Sequence, residues 1–221
     1  IGFQKKKISK IINQKFIIFN DMKKNFIKEL AKSIKLVTNS EKPRLHEPFL
    51  DKSEIMEIRN CIKSNYVSTA GPQVKKFEKK LSKFTGAKYV VATNSGTSAL
   101  HLALKAVNVE KNSEVLLPSL NFVAGGNAIK YCNAITHFIE INKNILSIDP
   151  SKLKVYLKKI VKIKNGKSIN IKTKRPIVAL IVVHVFGHSG NIKEIRKIGN
   201  LFKIKLIEDA AEAIGTFYQR K

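Results

Sequence analysis

Tyr89-Val90-Val91-Ala92-Thr93-Asn94-Ser95-Gly96-Thr97-Ser98-Ala99-Leu100 changes character at its midpoint. Residues 89–92 are apolar and rich in β-branched side chains, which predicts a strand. Ser98-Ala99-Leu100-His101-Leu102-Ala103-Leu104 predicts a helix. A strand, a tight turn of small residues and a helix place free backbone N–H groups at a helix N-terminus. Those groups and the helix dipole hold a phosphate well. Gly96 lets the backbone approach an anion, and the Thr97 and Ser98 hydroxyls can add hydrogen bonds. The same residues also fit a plain helix start capped by Ser95 or Thr97. The stretch alone leaves both readings open. It carries neither the dinucleotide-binding glycine fingerprint nor a Walker-type phosphate loop.

Downstream, strand-like and helix-like segments alternate. Apolar runs at 88–92, 114–117, 135–139, 178–183 and 204–207 predict strands; 97–106, 122–131, 150–161 and 191–202 predict helices. That rhythm predicts an α/β fold with a mainly parallel sheet, right-handed crossovers and helices on both faces. Upstream, Ser53 reads as the N-cap of a helix through Ile55, Ile58 and Ile62. A loop follows at 66–72, and Val74, Phe77, Leu81 and Phe84 recur at helical spacing. The Lys- and Asn-rich stretch 162–176 interrupts the alternation. It reads as an exposed excursion, a hairpin turning at Asn165-Gly166.

Residues 1–21 are rich in Lys, Ile and Asn and poorly patterned, whereas Met22 precedes an amphipathic pattern of Phe26, Ile27, Leu30, Ala31 and Ile34. Met22 is therefore read as the natural start, an expectation that N-terminal sequencing checks. Residues 37–50, with Pro43 and Pro48, read as a linker. The expected organisation is a basic extension and helix over 1–44, then an incomplete α/β domain over 45–221.

At 221 residues the chain can bury a sizeable core, and its 43% hydrophobic content is ordinary. A formal charge of +26 is not, and it raises nucleic acid or an anionic membrane surface as a partner. The lysines are scattered through every segment with few arginines, which reads as compositional bias, so nucleic acid is not the expected primary partner. Cys61 and Cys132 form no CxxC pair, which argues against a zinc site or disulfide framework; both read as buried thiols in a reducing compartment. No apolar run reaches membrane-span length, and Phe16-Ile17-Ile18-Phe19 is too short for a signal-peptide core. The expectation is a cytoplasmic protein with no membrane partner and no metal.

In an open parallel sheet, ligands bind beyond the carboxyl ends of the strands. The segments predicted there are the Ser95-Gly96-Thr97 turn, Pro118-Ser119-Leu120-Asn121-Phe122, His184-Val185-Phe186-Gly187-His188 and Glu208-Asp209-Ala210-Ala211-Glu212. A phosphate-binding turn, an aromatic ring, histidines and carboxylates would share one edge. Asp209 is the sharpest candidate: an acid between a buried strand and two small residues suits a protonated heterocycle, although it also suits a helix cap. His184 and His188 lack acidic or Cys partners at metal-ligand spacing and read as structural. Phe122 alone reads as core. No Ser-His-Asp or nucleophile-elbow pattern occurs.

Together these residues resemble the DegT/DnrJ/EryC1/StrS sugar aminotransferases, pyridoxal phosphate enzymes of the fold type I, aspartate aminotransferase-like scaffold. Six motifs occur in the family's order from about Leu45 to Lys221. They are His46-Glu47-Pro48-Phe49, Val67-Ser68-Thr69-Ala70-Gly71-Pro72, the 94–100 turn, Pro118-Ser119-Leu120-Asn121-Phe122-Val123-Ala124, His184-Val185-Phe186-Gly187-His188 and Ile207-Glu208-Asp209-Ala210-Ala211-Glu212-Ala213. The resemblance implies a three-layer αβα large domain, truncated at its C-terminus. It also implies pyridoxal 5'-phosphate as cofactor: Gly96, Thr97 and Ser98 on its phosphate, Phe122 stacked on its ring, Asp209 on its ring nitrogen. Glu212 stands where many members carry Gln or His near the cofactor hydroxyl. Ser68, Thr69 and His184 are placed on the substrate side.

The 162–176 insert resembles the subgroup that aminates a nucleotide-linked 4-keto-6-deoxy sugar on the way to legionaminic-acid-type sugars. Glutamate is the implied amino donor and a homodimer the implied assembly. The family's Schiff-base lysine lies some way beyond the Glu-Asp-Ala-Ala motif, past Lys221, and Lys221 is not assigned its role; this chain is expected to be inactive alone. Three rivals stand beside this reading: a dehydratase of the same family, with His in place of that lysine; a basic binder of nucleic acid or membrane surfaces; and a truncated product without function.

Overall fold

The computed structural model describes residues 24–43, 48, 50–69 and 71–219. Among them the helices are α1 (Lys24–Thr38), α2 (Lys52–Lys63), α3 (Pro72–Thr85), α4 (Gly96–Ala106), α5 (Val123–Tyr131), α6 (Pro150–Ile160) and α7 (Ile192–Leu201). The strands are β1 (Glu114–Pro118), β2 (Ile135–Ile139), β3 (Ile141–Asn142), β4 (Ser147–Ile148), β5 (Val161–Lys164), β6 (Lys167–Asn170), β7 (Ile177–Val183) and β8 (Lys205–Asp209). The chain divides into two compact units between Ser68 and Thr69.

In the second unit, β2, β1, β7 and β8 lie side by side in that order, every neighbouring pair parallel. Side chains alternate across the two faces of a strand. Val115, Leu117, Ala179, Ile181 and Ile207 therefore meet Leu100 and Leu104 of α4 and Ala124, Ala128 and Ile129 of α5. The intervening Leu116, Leu180 and Val182 meet Leu153, Leu157 and Ile160 of α6 and Ile192, Ile195 and Ile198 of α7. The central strands β1 and β7 are apolar on both faces because both are covered. The result is the expected three-layer αβα arrangement.

Five expectations change in detail. Residues 88–92 form no strand: no ladder partner for them occurs among the described residues, and the Ala92 N–H donates instead to the Glu78 carboxylate at 2.9 Å. Helix α2 is capped by Asp51, not Ser53; Asp51 accepts the Ser53 N–H at 2.6 Å while Glu54 accepts the Asp51 N–H at 2.7 Å, a complete capping box. Helix α1 runs on to Thr38, so the linker starts at Asn39, where φ turns positive.

The hairpin over 162–176 forms as expected, with Asn165 and Gly166 both at positive φ. It is not a free excursion, because Ser168 and Asn170 are buried and Ser168 donates to the Phe202 carbonyl. Of the two thiols, Cys132 is buried and Cys61 only half-buried. Residues 1–23, including Met22, lie outside the described residues, as do His46, Glu47, Phe49, Ala70 and Lys221.

Candidate functional site

Helix α4 joins β1 through residues 107–113, so its C-terminus sits near the amino end of β1 and its N-terminus near the carboxyl edge of the sheet. There Ser95 caps the helix, its Oγ accepting the Ser98 N–H at 3.2 Å and lying 3.0 Å from the Ser98 hydroxyl. The Gly96 and Thr97 N–H groups fall in the first turn, where a helix offers no partner of its own. A Cβ built on Gly96 meets nothing within 4 Å, so the space before the turn is open. Thr97 and Ser98 are half-buried. The capping reading is thus realised, and it leaves the anion-binding donors in place.

Asp209 ends β8 in register with Val183. Alternation along β8 puts it on the face of Ile207, which belongs to the layer of α4 and α5; Glu208 points to the other face. Asp209 is half-buried, and its Oδ1 accepts the Ala211 N–H at 3.3 Å, capping the turn that follows. Phe122 occupies the N-cap position of α5 and is 74% exposed, so it is not core. An anion cradle, a carboxylate and an uncovered ring share the carboxyl edge on one side of the sheet.

Two placements add to the sequence reading. His184 is 6% exposed, its Nε2 lying 3.2 Å from Glu208 Oε2. Its buried Nδ1 has no hydrogen-bond partner among the described residues. Glu212 Oε2 accepts the Phe186 N–H at 2.8 Å, which commits one carboxylate oxygen to the 185–187 turn. A carboxylate can only accept, and here it accepts a backbone donor that Gln would have served less strongly. Ser68 and Thr69 are exposed and fall on either side of the unit boundary.

Sequence reasoning singled out Asp209 but missed the role of its neighbour. Glu208 accepts from His184 and, through Oε1, from Arg196 Nη2 of α7 at 3.3 Å. The His184 hydrogen bond, with the Arg196 charge, holds its carboxyl below the usual carboxylate range against the opposing effect of burial. Strand alternation was the available signal: adjacent acids at a strand end must face opposite ways. The loops after β7 and β8 are further tied where His184 donates its N–H to the Asp209 carbonyl at 3.1 Å and Thr216 donates to the Gly187 carbonyl at 2.9 Å. Among the described residues no group of three His, Cys, Asp or Glu side chains converges on a metal site.

Residues 48–221 match the DegT/DnrJ/EryC1/StrS aminotransferase family. GDP-perosamine synthase of Vibrio cholerae is 34% identical over 172 residues, which is 78% of this chain and 42% of that protein. The spore coat polysaccharide biosynthesis protein SpsC of Bacillus subtilis is 34% identical over 174 residues, 79% of this chain and 40% of that protein. Among solved structures, the Escherichia coli GDP-4-keto-6-deoxy-D-mannose-3-dehydratase with bound hydrated pyridoxal phosphate superposes with a TM-score of 0.67. It is 25% identical, and the match covers 81% of this chain and 43% of that one. The chain spans less than half the length of these curated relatives.

The fold is that of the large domain of pyridoxal phosphate fold type I enzymes, and the Escherichia coli dehydratase of that fold holds pyridoxal phosphate. The donor set fits that group: open helix-terminal N–H groups and hydroxyls for a phosphate, an acid on the same side of the sheet for a protonated ring nitrogen, and an uncovered aromatic residue at the start of the helix that follows β1. Fold, motif order and site chemistry agree, and the chain belongs to the DegT/DnrJ/EryC1/StrS aminotransferase family.

Proposed function

We propose that the complete protein is a sugar aminotransferase. It moves an amino group, with glutamate as donor, to the keto carbon of a nucleotide-linked 4-keto-6-deoxy sugar. The work belongs to amino-sugar and surface-polysaccharide synthesis in the cytoplasm, and the protein acts as a homodimer. The observation that carries this reading is the placement of Asp209 on the same side of the sheet as the open N-terminus of α4.

When bound, pyridoxal phosphate supplies an electron sink for the carbon that gains or loses nitrogen. Gly96 and Thr97 bind its phosphate through their backbone N–H groups, and Thr97 and Ser98 through their hydroxyls. Phe122 stacks on the ring and excludes water from one side of it. Asp209 keeps a proton on the ring nitrogen; its cap to Ala211 fixes the carboxylate's direction. Glu212, tied to Phe186, holds the 185–187 turn rather than serving as a free donor. Ser68 and Thr69 contact the sugar or the amino donor. No residue of this chain is assigned as the cofactor-bearing lysine.

The test uses the complete protein with Asp209→Asn. Asparagine keeps the cap but loses the charge, so amino transfer from 15N-glutamate should fall about 100-fold or more, in line with losing a charge aimed at the reacting system, while the unfolding midpoint stays near the parent's. Unchanged transfer would sink the assignment. A second reading, a dehydratase, is favoured by the fold match to the Escherichia coli 3-dehydratase. Its signature is loss of water from the sugar with no 15N in the product.

A further inference from the structure

Helix α1 lies before the residues that match the family, so the aminotransferase fold does not account for it. At about 100° per residue, Phe26, Ile27, Leu30, Ala31, Ile34 and Val37 fall on one continuous arc. Lys28, Lys32 and Lys35 fall on another, with Glu29 the one acid in the helix. Every described side chain of α1 is exposed; Phe26 is 54% and Leu30 48% accessible. Lys35 pairs with Glu41, while Lys28 and Lys32 have no ion-pair partner among the described residues. Residues 22–38 carry five lysines against Glu29 alone.

We propose that α1 is a membrane-surface anchor that lies in the interface of an anionic bilayer, with its apolar arc among the acyl chains and its lysines at the headgroups. The charge selects this occupant over a second copy of the chain. Each copy carries a formal +26 and the same lysine arc, so helix-to-helix pairing sets like charges together, whereas an anionic lipid surface complements both arcs at once. At about 22 Å in length the helix lies along the surface; no helix among the described residues is long and apolar enough to cross a membrane. The sequence reading expected no membrane partner; an in-plane helix needs no span. The proposal stands independently of the amino-transfer chemistry.

The chain contains no Trp, so Phe26→Trp installs a single indole on the apolar arc. The full chain with this reporter is mixed with vesicles of phosphatidylcholine alone, or with phosphatidylglycerol added. The expected result is a blue shift and co-sedimentation on the mixed vesicles only, with quenching by brominated acyl chains. Adding Leu30→Ser and Ile34→Ser leaves the charge untouched and should lower the partition coefficient about tenfold or more. Equal binding by that variant, or no quenching by brominated lipid, would overturn the proposal, because attraction would then be the diffuse effect of scattered lysines. A blue shift that grows with protein concentration without vesicles would also overturn it in favour of self-association.

Discussion

The two edges of the parallel sheet treat their carboxylates in opposite ways. At the amino edge, Glu114 opens β1 and is 2% exposed. It accepts from the Thr173 hydroxyl, from Asn170 Nδ2 at 2.9 Å and from His137 Nδ1 at 2.7 Å, and His137 Nε2 continues to the Tyr156 hydroxyl at 2.6 Å. Burial pushes the Glu114 carboxyl up, but the hydrogen bonds from Thr173, His137 and Asn170 outweigh it and leave the group below its ordinary range. At the carboxyl edge, Asp209 is half-buried with one capping bond, Gly96 faces open space and Phe122 is uncovered. A fully satisfied carboxylate serves the fold. A partly satisfied one beside unused donors is available to a ligand.

Five substitutions press on this contrast. The largest effect belongs to Glu114→Ala, which strands Asn170, Thr173 and His137 together. It should lower unfolding free energy in urea by about 3 kcal/mol and leave cofactor affinity of the complete protein unchanged. The same carboxylate sets a pH dependence. Because its folded-state pKa is lowered, its contribution is full above the ordinary carboxylate range and drains away as pH falls through that range toward the lowered value. Glu114→Gln should flatten that acid limb of the stability curve. An acid limb identical to the parent's would assign the loss to other groups.

Gly187→Ala comes next. Gly187 sits at φ +78°, and its added Cβ would lie 3.0 Å from the Glu212 carbonyl oxygen. A loss of about 1–2 kcal/mol is expected, accompanied at this edge by weaker cofactor binding, since the 185–187 and 210–216 turns are laced together. Loss of stability alone would make this loop a scaffold only.

The smallest effects separate the two readings of the 95–98 turn. Ser95→Ala removes a cap and should cost about 1 kcal/mol. Gly96→Ala should stabilise α4 by about 0.5–1 kcal/mol while weakening cofactor affinity measured by absorbance titration. If Gly96→Ala leaves affinity intact, the turn is a helix start and nothing more.

Most of the αβα core was legible because its signal is local. Val115, Leu116 and Leu117 are apolar in succession, as a strand covered on both faces must be, and Asn165-Gly166 announces its own turn. The Tyr89-Val90-Val91-Ala92 run shows the limit: its residues suit a strand, but a strand exists only with a neighbour, which local composition cannot supply. At the site, Asp209 was legible from its place after a buried run. Glu208 was not, since what commits it is Arg196 on another layer and a histidine folded inward. Glu114 was hidden for the same reason, its partners lying 23 to 59 residues away.

The strand order has a consequence for synthesis. Strand β1 is apolar on both faces and sits between β2 and β7, yet β7 ends at Val183, long after β1 has left the ribosome. At roughly 5–20 residues per second, Val115, Leu116 and Leu117 wait several seconds with one ladder unmade. During that interval the nascent chain offers chaperones a short, sticky segment.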